Sequence, residues 1–97
     1  IIPDDMLATG GTLVQAAKFL KAKGAKKIYA CMTHGIFSGQ AVEKINDSEI
    51  LEVVVSNTIP QAEREKVKKI KVLSVGKLFG EAIKRIHDEQ TISELFR

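Results

Sequence analysis

The sequence predicts an α/β fold in which helices pack on a mostly parallel sheet, and three observations lead to this prediction. Short runs of apolar, often β-branched residues recur along the chain, as in buried strands. Segments with apolar residues at helical spacing lie between these runs. The resulting order over the chain, β–α–β–α–β–β–α, is typical of βαβ units.

The first part of the chain alternates strand, helix and strand. Residues 1–6 are apolar up to an acidic pair and predict a short strand that ends in a loop. Residues 8–12 form a glycine turn, and the apolar spacing becomes helical from its last residue. Gly24 suits the position just after a helix. The run Lys27–Thr33 predicts a buried strand, in which Cys31 is expected to be a core residue. The apolar stripe of the helix consists of Leu13, Ala16, Ala17 and Leu20.

A loop and a short helix separate this strand from the next one. His34–Gly39 contains two glycines in six residues and is expected to be a loop. Residues 40–46 predict a short helix with Ala41, Val42 and Ile45 facing inward. Ile50–Val55 is rich in β-branched residues and predicts a strand, which Ser56–Pro60 ends as a turn.

The last third of the chain predicts an exposed segment, a strand and a helix. Residues 61–69 are highly charged, and Ile70–Val75 predicts a further strand. Residues 77–87 predict an amphipathic helix, and Thr91–Phe96 adds a final turn. The apolar stripe of this helix consists of Phe79, Ala82, Ile83 and Ile86.

Composition and charge exclude several classes of protein. Hydrophobic residues make up 44% and charged residues 28% of the chain, which excludes a disordered tail, a collagen and a disulfide scaffold. Lys and Arg number 15 and Asp and Glu 12, giving a formal net charge of +3. The lysines at 18–27 and 66–71 have few aromatic neighbours, so we expect solvated faces or subunit contacts, not a nucleic-acid surface. A mild basic balance also suits a phosphorylated small molecule.

The cysteine count and the start of the chain lead to predictions about the cellular compartment and the domain organisation. Cys31 is the single cysteine, so an internal disulfide is impossible and a reducing, cytoplasmic location is expected. The apolar runs are far shorter than the ~20 residues that a membrane span requires. The chain starts at Ile1 with no signal peptide and no initiator Met. We therefore expect residues 1–97 to be part of one domain of a longer protein, with no second domain.

The strongest local motif is the segment Asp4–Thr12 at a predicted strand–loop–helix junction. Ligands gather at the carboxyl ends of parallel strands, and the start of the following helix offers free N–H groups and a positive dipole end to a phosphate. Gly10 and Gly11 allow the backbone to curl around an anion, and two threonine hydroxyls add donors. The two carboxylates would repel phosphate, so we expect them to accept hydrogen bonds from ribose hydroxyls or to hold a magnesium ion.

A purely structural alternative stays open for this segment, namely a tight turn in which an aspartate helps to cap the helix. The segment lacks the Gly-Lys-Ser/Thr ending of a P-loop and the spacing of a dinucleotide fingerprint. The acid pair beside the two threonines favours the ligand-binding interpretation.

This segment resembles the phosphoribosyl-pyrophosphate binding motif of type I phosphoribosyltransferase folds. Two further segments, Thr33–Gly39 and Val53–Gln61, resemble ribose-phosphate pyrophosphokinases, as do Glu81–His87 and Ser93–Phe96 near the end of the chain. The first motif is shared with many phosphoribosyltransferases, whereas the second and third are specific to the synthetases. The resemblance covers essentially the whole chain and implies the C-terminal part of a type I phosphoribosyltransferase-like domain.

The resemblance also implies a reaction and the residues that bind its substrate. In the family, the anomeric hydroxyl of ribose 5-phosphate attacks the β-phosphorus of Mg-ATP, diphosphate is transferred and AMP leaves. Asp4 and Asp5 would hold the ribose hydroxyls, and the loop Ala8–Thr12 would bind the 5-phosphate. The implied substrate-binding residues are Asp4, Asp5, Ala8, Thr9, Gly10, Gly11 and Thr12.

The segments that bind ATP and Mg²⁺ in the family precede this motif, as does its mobile basic catalytic loop. The resemblance therefore implies no catalytic residue in residues 1–97, and it assigns no metal ligand there. We expect the 97 residues alone to have no synthetase activity.

Two positions depart from the family pattern. Ala8 stands where the synthetases usually have an acidic residue, so any role of that side chain is absent here. Pro3 replaces an apolar strand residue and removes one donor from the strand ladder.

Three other residues correspond to an allosteric site for ADP or inorganic phosphate that the family forms between subunits. These residues are Thr91, Ser93 and Phe96, and the alternative is that Phe96 and Leu95 simply pack a helix end. His34 has two open interpretations as well, either contact with a ligand or ordering of its own loop.

Three functions stay open at this point. The chain is expected to belong to a synthetase, to a non-catalytic synthetase-associated regulatory subunit, or to a phosphoribosyltransferase that joins a base to phosphoribosyl pyrophosphate. Thr33–Gly39 and Ser56–Gln61 argue against the last. The expected partners are ribose 5-phosphate, ATP through the absent segments, an ADP or phosphate effector and identical subunits, with no nucleic acid and no membrane.

Overall fold

Four parallel strands form one sheet in the part of the chain that the structure describes. The computed structural model describes residues 1–96, apart from the side chain of Glu65. The strands are hydrogen-bonded in sequence order: β1 (Ile2–Leu7), β2 (Ile28–Gly35), β3 (Ile50–Ser56) and β4 (Ile70–Leu73). The helices are α1 (Gly11–Ala22), α2 (Ala41–Asn46) and α3 (Gly76–His87), and 3₁₀ turns lie at Arg64–Lys66 and Ser93–Phe96. The predicted fold class and the predicted order of elements are confirmed.

The hydrophobic core lies between one face of the sheet and the helices α1 and α2. Alternate residues of β2 and β3 point to this face, as the two-residue repeat of a strand requires. Right-handed crossovers between strands in sequential order place the connecting segments on the same face, which explains why both helices lie there. The buried core consists of Leu7, Leu13, Ala17, Ile28, Ala30, Met32, Phe37, Ala41, Ile45, Ile50, Val53, Val55 and Ile70.

The opposite face of the sheet is open over much of its area. Cys31 belongs to this face and is exposed, so the prediction that it is a core residue was wrong. A run of apolar letters predicts a strand buried on both faces, but only one face of β2 is covered by the described helices. A shallow groove of about 430 Å³ runs across the open face beside Cys31, Val54 and Leu73.

The third helix buries none of its residues. The amphipathic helix predicted over residues 77–87 is confirmed as α3, but its apolar stripe is left open: Phe79 is 52% and Ile83 67% exposed. The helix follows the edge strand β4, and no further strand follows it within residues 1–96 to bring it back across the sheet. The radius of gyration of 15.9 Å therefore exceeds the roughly 12.5 Å expected for a compact chain of this length.

Several element boundaries differ from the predicted ones in ways that affect the site. β1 spans Ile2–Leu7, where a strand over residues 1–6 was expected, so Asp4 and Asp5 lie within the strand. β2 continues through His34 and into Gly35, so these residues are extended as well. Gln61 is buried, although the segment 61–69 was expected to be exposed throughout. None of the described helices combines the length and the apolarity needed to cross a membrane.

Candidate functional site

A cavity of about 240 Å³ lies where β1 ends and α1 begins. Its walls come from both elements and from the glycine loop between them, at the carboxyl end of an edge strand where α/β proteins bind ligands. It is lined by Ile2, Asp4, Met6, Leu7, Ala8, Thr9, Gly10, Thr12, Leu13 and Met32. Five of the seven sequence-predicted binding residues are therefore brought together here, whereas Asp5 and Gly11 do not line the cavity.

The N-terminus of α1 is left without a side-chain cap. Gly10 is the N-cap residue and adopts the left-handed conformation with φ of 81°, which favours glycine because other residues carry a Cβ. The first helical hydrogen bond runs from the Val14 N–H to the Gly10 carbonyl (3.0 Å). The N–H groups of Gly11, Thr12 and Leu13 precede that bond and lack partners within the helix. The first turn of α1 also lacks an acidic residue, so no carboxylate of the helix itself neutralises its positive end.

Asp4 and Asp5 lie on opposite faces of the sheet, because both belong to β1. Asp4 pairs with Met32, whose side chain lies in the core beneath the helices, so Asp4 points to the side of α1. Asp5 therefore points to the open face. Its backbone N–H donates a hydrogen bond to Asp4 Oδ1 (2.8 Å), and this bond orients the Asp4 carboxylate at the cavity.

The glycine loop is held from below by the segment that follows β2. The N–H groups of Ile36 and Phe37 donate to the carbonyl of Leu7 (2.8 and 3.2 Å), and the N–H of Ser38 donates to the carbonyl of Ala8 (3.0 Å). Sequence reasoning did not find this contact, because residues about thirty positions apart meet only in the folded sheet. In the sequence, the two glycines around this segment were the feature that indicated an unusual backbone conformation.

His34 connects the ends of β2 and β3 and is absent from the cavity lining. Its Nδ1 lies 2.8 Å from Oγ1 of Thr58, in the turn after β3. Beside it, Ser56 Oγ donates to the carbonyl of Thr33. Of the two interpretations of His34, this geometry favours the one in which the side chain orders a loop. The segment that it orders is the loop after β3.

The residues matched to the family's effector site lie at the far end of α3. The hydroxyls of Thr91 and Ser93 are 2.9 Å apart and stabilise a local turn, while Phe96 is 78% exposed and does not pack the helix end. Arg85 bridges Glu81 (3.0 Å) and Glu94 (3.1 Å) and so joins the last 3₁₀ turn to α3. The hydrogen bonds with these two carboxylates raise the pKa of Arg85, and the bond with Glu81 has the larger effect.

The described residues include no group of three or more His, Cys, Asp or Glu side chains that could hold a metal ion. Asp4 and Asp5 do not converge on one point either, because they lie on opposite faces of the sheet. These residues therefore do not fit a Mg²⁺ held by this chain alone.

The fold and the cavity define a parallel α/β protein with a glycine loop and an uncapped helix start at the end of an edge strand. The family model described as the phosphoribosyl synthetase-associated domain matches residues 1–97, so the chain belongs to this family.

The chain is similar to the ribose-phosphate pyrophosphokinase of Caldanaerobacter subterraneus subsp. tengcongensis, with 54% identity over 96 residues. It is 50% identical to that of Bacillus subtilis and 48% identical to ribose-phosphate pyrophosphokinase A of Dictyostelium discoideum. In each case 99% of this chain is covered, but only 30%, 30% and 31% of the relative. The chain thus spans about 30% of these relatives and matches their C-terminal portion.

The fold of this chain is also similar to that of a synthetase whose structure has been solved. The crystal structure of phosphoribosylpyrophosphate synthetase from Mycobacterium smegmatis superposes with a TM-score of 0.85 at 33% identity. The match covers 90% of this chain and 29% of that one.

Proposed function

We propose that this chain is the ribose 5-phosphate-binding part of a ribose-phosphate pyrophosphokinase. The observation that carries the proposal is the cavity at the uncapped start of α1, where free N–H groups, two threonines and one carboxylate converge. The relatives of this chain bear the name of that enzyme, and the loop has the donors that its sugar-phosphate substrate requires.

The 5-phosphate would bind at the start of α1. The N–H groups of Gly11, Thr12 and Leu13 point out of the helix end, where the dipole favours negative charge. The hydroxyls of Thr9 and Thr12 line the same cavity and add two donors. Ala8 contributes its backbone to the loop and no side-chain charge that would repel the phosphate.

The ribose hydroxyls would be held by Asp4, which shares the cavity with the loop. A carboxylate has acceptor capacity for two hydroxyl donors, and one of its oxygens is already oriented by the Asp5 N–H. The prediction that Asp5 also holds the ribose is tested by comparing Asp4→Asn with Asp5→Asn. We expect the Asp4 variant to weaken ribose 5-phosphate binding by about tenfold and the Asp5 variant by less, in a calorimetric titration.

In the intact protein, the anomeric hydroxyl of the bound sugar would attack the β-phosphorus of ATP, and AMP would leave. This chain would contribute positioning and charge complementarity for the sugar phosphate. Mg²⁺ would neutralise the charge of ATP, and ATP and the ion would be bound by segments outside residues 1–97. Identical subunits are the proposed protein partners, and the Thr91, Ser93 and Phe96 end would take a phosphate or ADP effector.

The residues 1–97 alone would have no synthetase activity. A coupled assay for AMP release should show none, and ribose 5-phosphate should bind the 97 residues more weakly than it binds the intact protein. Turnover by the purified 97 residues would contradict the proposed division of labour. Failure of ribose 5-phosphate to bind the intact protein would refute the proposed site.

A second candidate is a non-catalytic subunit that regulates an active synthetase. The substitution at Ala8, where an acidic residue is usual, favours it, as does the description of the matching family as synthetase-associated. In this case the intact protein would co-purify with an active synthetase and form no AMP by itself. Restoring an acid with Ala8→Asp would then leave activity absent.

A further inference from the structure

The segment Gly35–Ser38 has a backbone conformation that requires an explanation. Phe37 has φ of +53°, in the left-handed region where a residue with a Cβ is sterically disfavoured. The same residue is almost fully buried, so its ring and its peptide groups are held by their surroundings. Such strained backbone is retained where the surrounding structure enforces it, which is most often next to a functional site.

Arg64, in the 3₁₀ turn before β4, contacts Phe37 in two ways. Its Nη2 donates to the carbonyl of Phe37 (3.3 Å), and its guanidinium lies 5.9 Å from the centroid of the Phe37 ring. The cation thus touches both the peptide and the side chain of the strained residue. The segment 61–69, which its charge pattern predicts to be exposed, is connected to the core at this point.

Both peptide groups that flank Phe37 donate hydrogen bonds to the glycine loop. The Phe37 N–H donates to the Leu7 carbonyl, and the next N–H, from Ser38, donates to the Ala8 carbonyl. Rotating Phe37 out of its left-handed conformation would change the angle between these two peptide planes, so the two N–H groups could no longer both reach these carbonyls. The Leu7 carbonyl is also held by the Ile36 N–H (2.8 Å), so Phe37 acts together with Ile36 at Leu7, whereas the bond to the Ala8 carbonyl depends on the conformation of Phe37.

We propose that Arg64 is a positioning residue for the sugar-phosphate loop. It holds Phe37 in the left-handed conformation, and Phe37 and Ser38 in turn fix the carbonyls of Leu7 and Ala8. The identity of the ligand in this inference rests on the proposed function. The effect of Arg64 on the position of the loop does not depend on that function.

The experiment compares Arg64→Ala and Arg64→Lys with the matched control Lys66→Ala in the intact protein. Lys66 lies on the same turn and carries the same charge, but its side chain is 78% exposed and its ion pair is a 4.0 Å contact with Glu63. Three quantities are measured: backbone amide chemical shifts of residues 7–12 without ligand, the Kd for ribose 5-phosphate, and the melting temperature.

We expect Arg64→Ala to move the amide resonances of residues 7–12 and to raise the Kd by about fivefold, the size expected when one hydrogen bond is lost. Arg64→Lys should restore part of both effects, because an ammonium group can still donate to the carbonyl. Lys66→Ala should change neither. A lower melting temperature with unchanged resonances, or shifted resonances with unchanged Kd, would overturn the inference. If the parent protein does not bind ribose 5-phosphate, the proposed function fails, and the resonances alone decide the role of Arg64.

Discussion

Replacing Gly35 with alanine tests how tightly the loop after β2 is packed against the core. A Cβ at this position would lie 2.6 Å from Cε2 of Phe37, 3.0 Å from Cγ1 of Val55 and 3.2 Å from Nε2 of Gln61. All three neighbours are buried, and Gln61 also donates to the carbonyl of Gly35 itself. The added methyl group therefore has no open direction in which to displace them.

The size of the effect follows from this crowding. Overpacking a core by one methyl group costs about 1–3 kcal/mol. For a domain of this length, each kcal/mol lowers the melting temperature by roughly 4–8 °C, so Gly35→Ala should melt about 5–20 °C below the parent. Since the nearest contact is with Phe37, the variant should also weaken ribose 5-phosphate binding through the glycine loop.

Two other glycines provide matched controls in the same thermal denaturation assay. Gly80 lies inside α3, and a methyl group added there would have no neighbour within 4 Å, so Gly80→Ala should stabilise the protein by about 0.5–1 kcal/mol. Gly24 has equally open surroundings but φ of +102°, so Gly24→Ala isolates the cost of backbone strain, about 1 kcal/mol. If Gly35→Ala melts within about 2 °C of the parent, the argument from crowding is refuted.

Three further predictions concern single side chains. Lys69 Nζ donates to three carbonyl oxygens at or just beyond the C-terminal end of α2 (3.0–3.2 Å), so Lys69→Met should cost about 1–2 kcal/mol in denaturant unfolding, whereas Lys68→Met should not. The carboxylates of Glu81 and Glu94 raise the pKa of Arg85 above its ordinary value, so the stability from this shift is present at neutral pH and is lost only in strong alkali. The difference in melting temperature between the parent and Arg85→Gln should thus be the same at about pH 7 and about pH 9. High salt should make this difference smaller. Cys31 should react with a thiol reagent in the folded 97-residue chain as fast as an exposed thiol does.

Each of these has an outcome that contradicts it. Equal unfolding of the Lys69 and Lys68 variants would mean that the α2 carbonyls need no cation. A pH-dependent difference for Arg85→Gln in this range would point to another titrating group. A Cys31 thiol that reacts only after denaturation would mean that the open face of the sheet is covered in solution.

The order of elements was predictable because each depends on its own residues. Helical spacing from Leu13 to Leu20, and the β-branched run Ile50–Val55, specify local structure with little help from distant parts of the chain. The glycine loop was predictable for the same reason, since Gly10 and Gly11 lie at the junction itself.

The different positions of Asp4 and Asp5 could not be predicted from local sequence in the same way. Whether Asp4 and Asp5 share a face depends on where β1 ends, and sequence patterns locate strand ends only loosely. Because β1 includes both residues, the alternation of the strand sends one to the cavity and the other to the open face.

The sequence by itself determined the strands, the helices and the composition of the glycine loop, because backbone propensity and residue spacing are local properties. Only the tertiary structure decided that Cys31 and the stripe of α3 are exposed, that Phe37 donates to the glycine loop and that Arg64 contacts Phe37. An amphipathic pattern states that a face is apolar, but what covers that face depends on the path of the rest of the chain. Contacts between residues about thirty or more positions apart are likewise set by the order of strands in the sheet, which no local pattern contains.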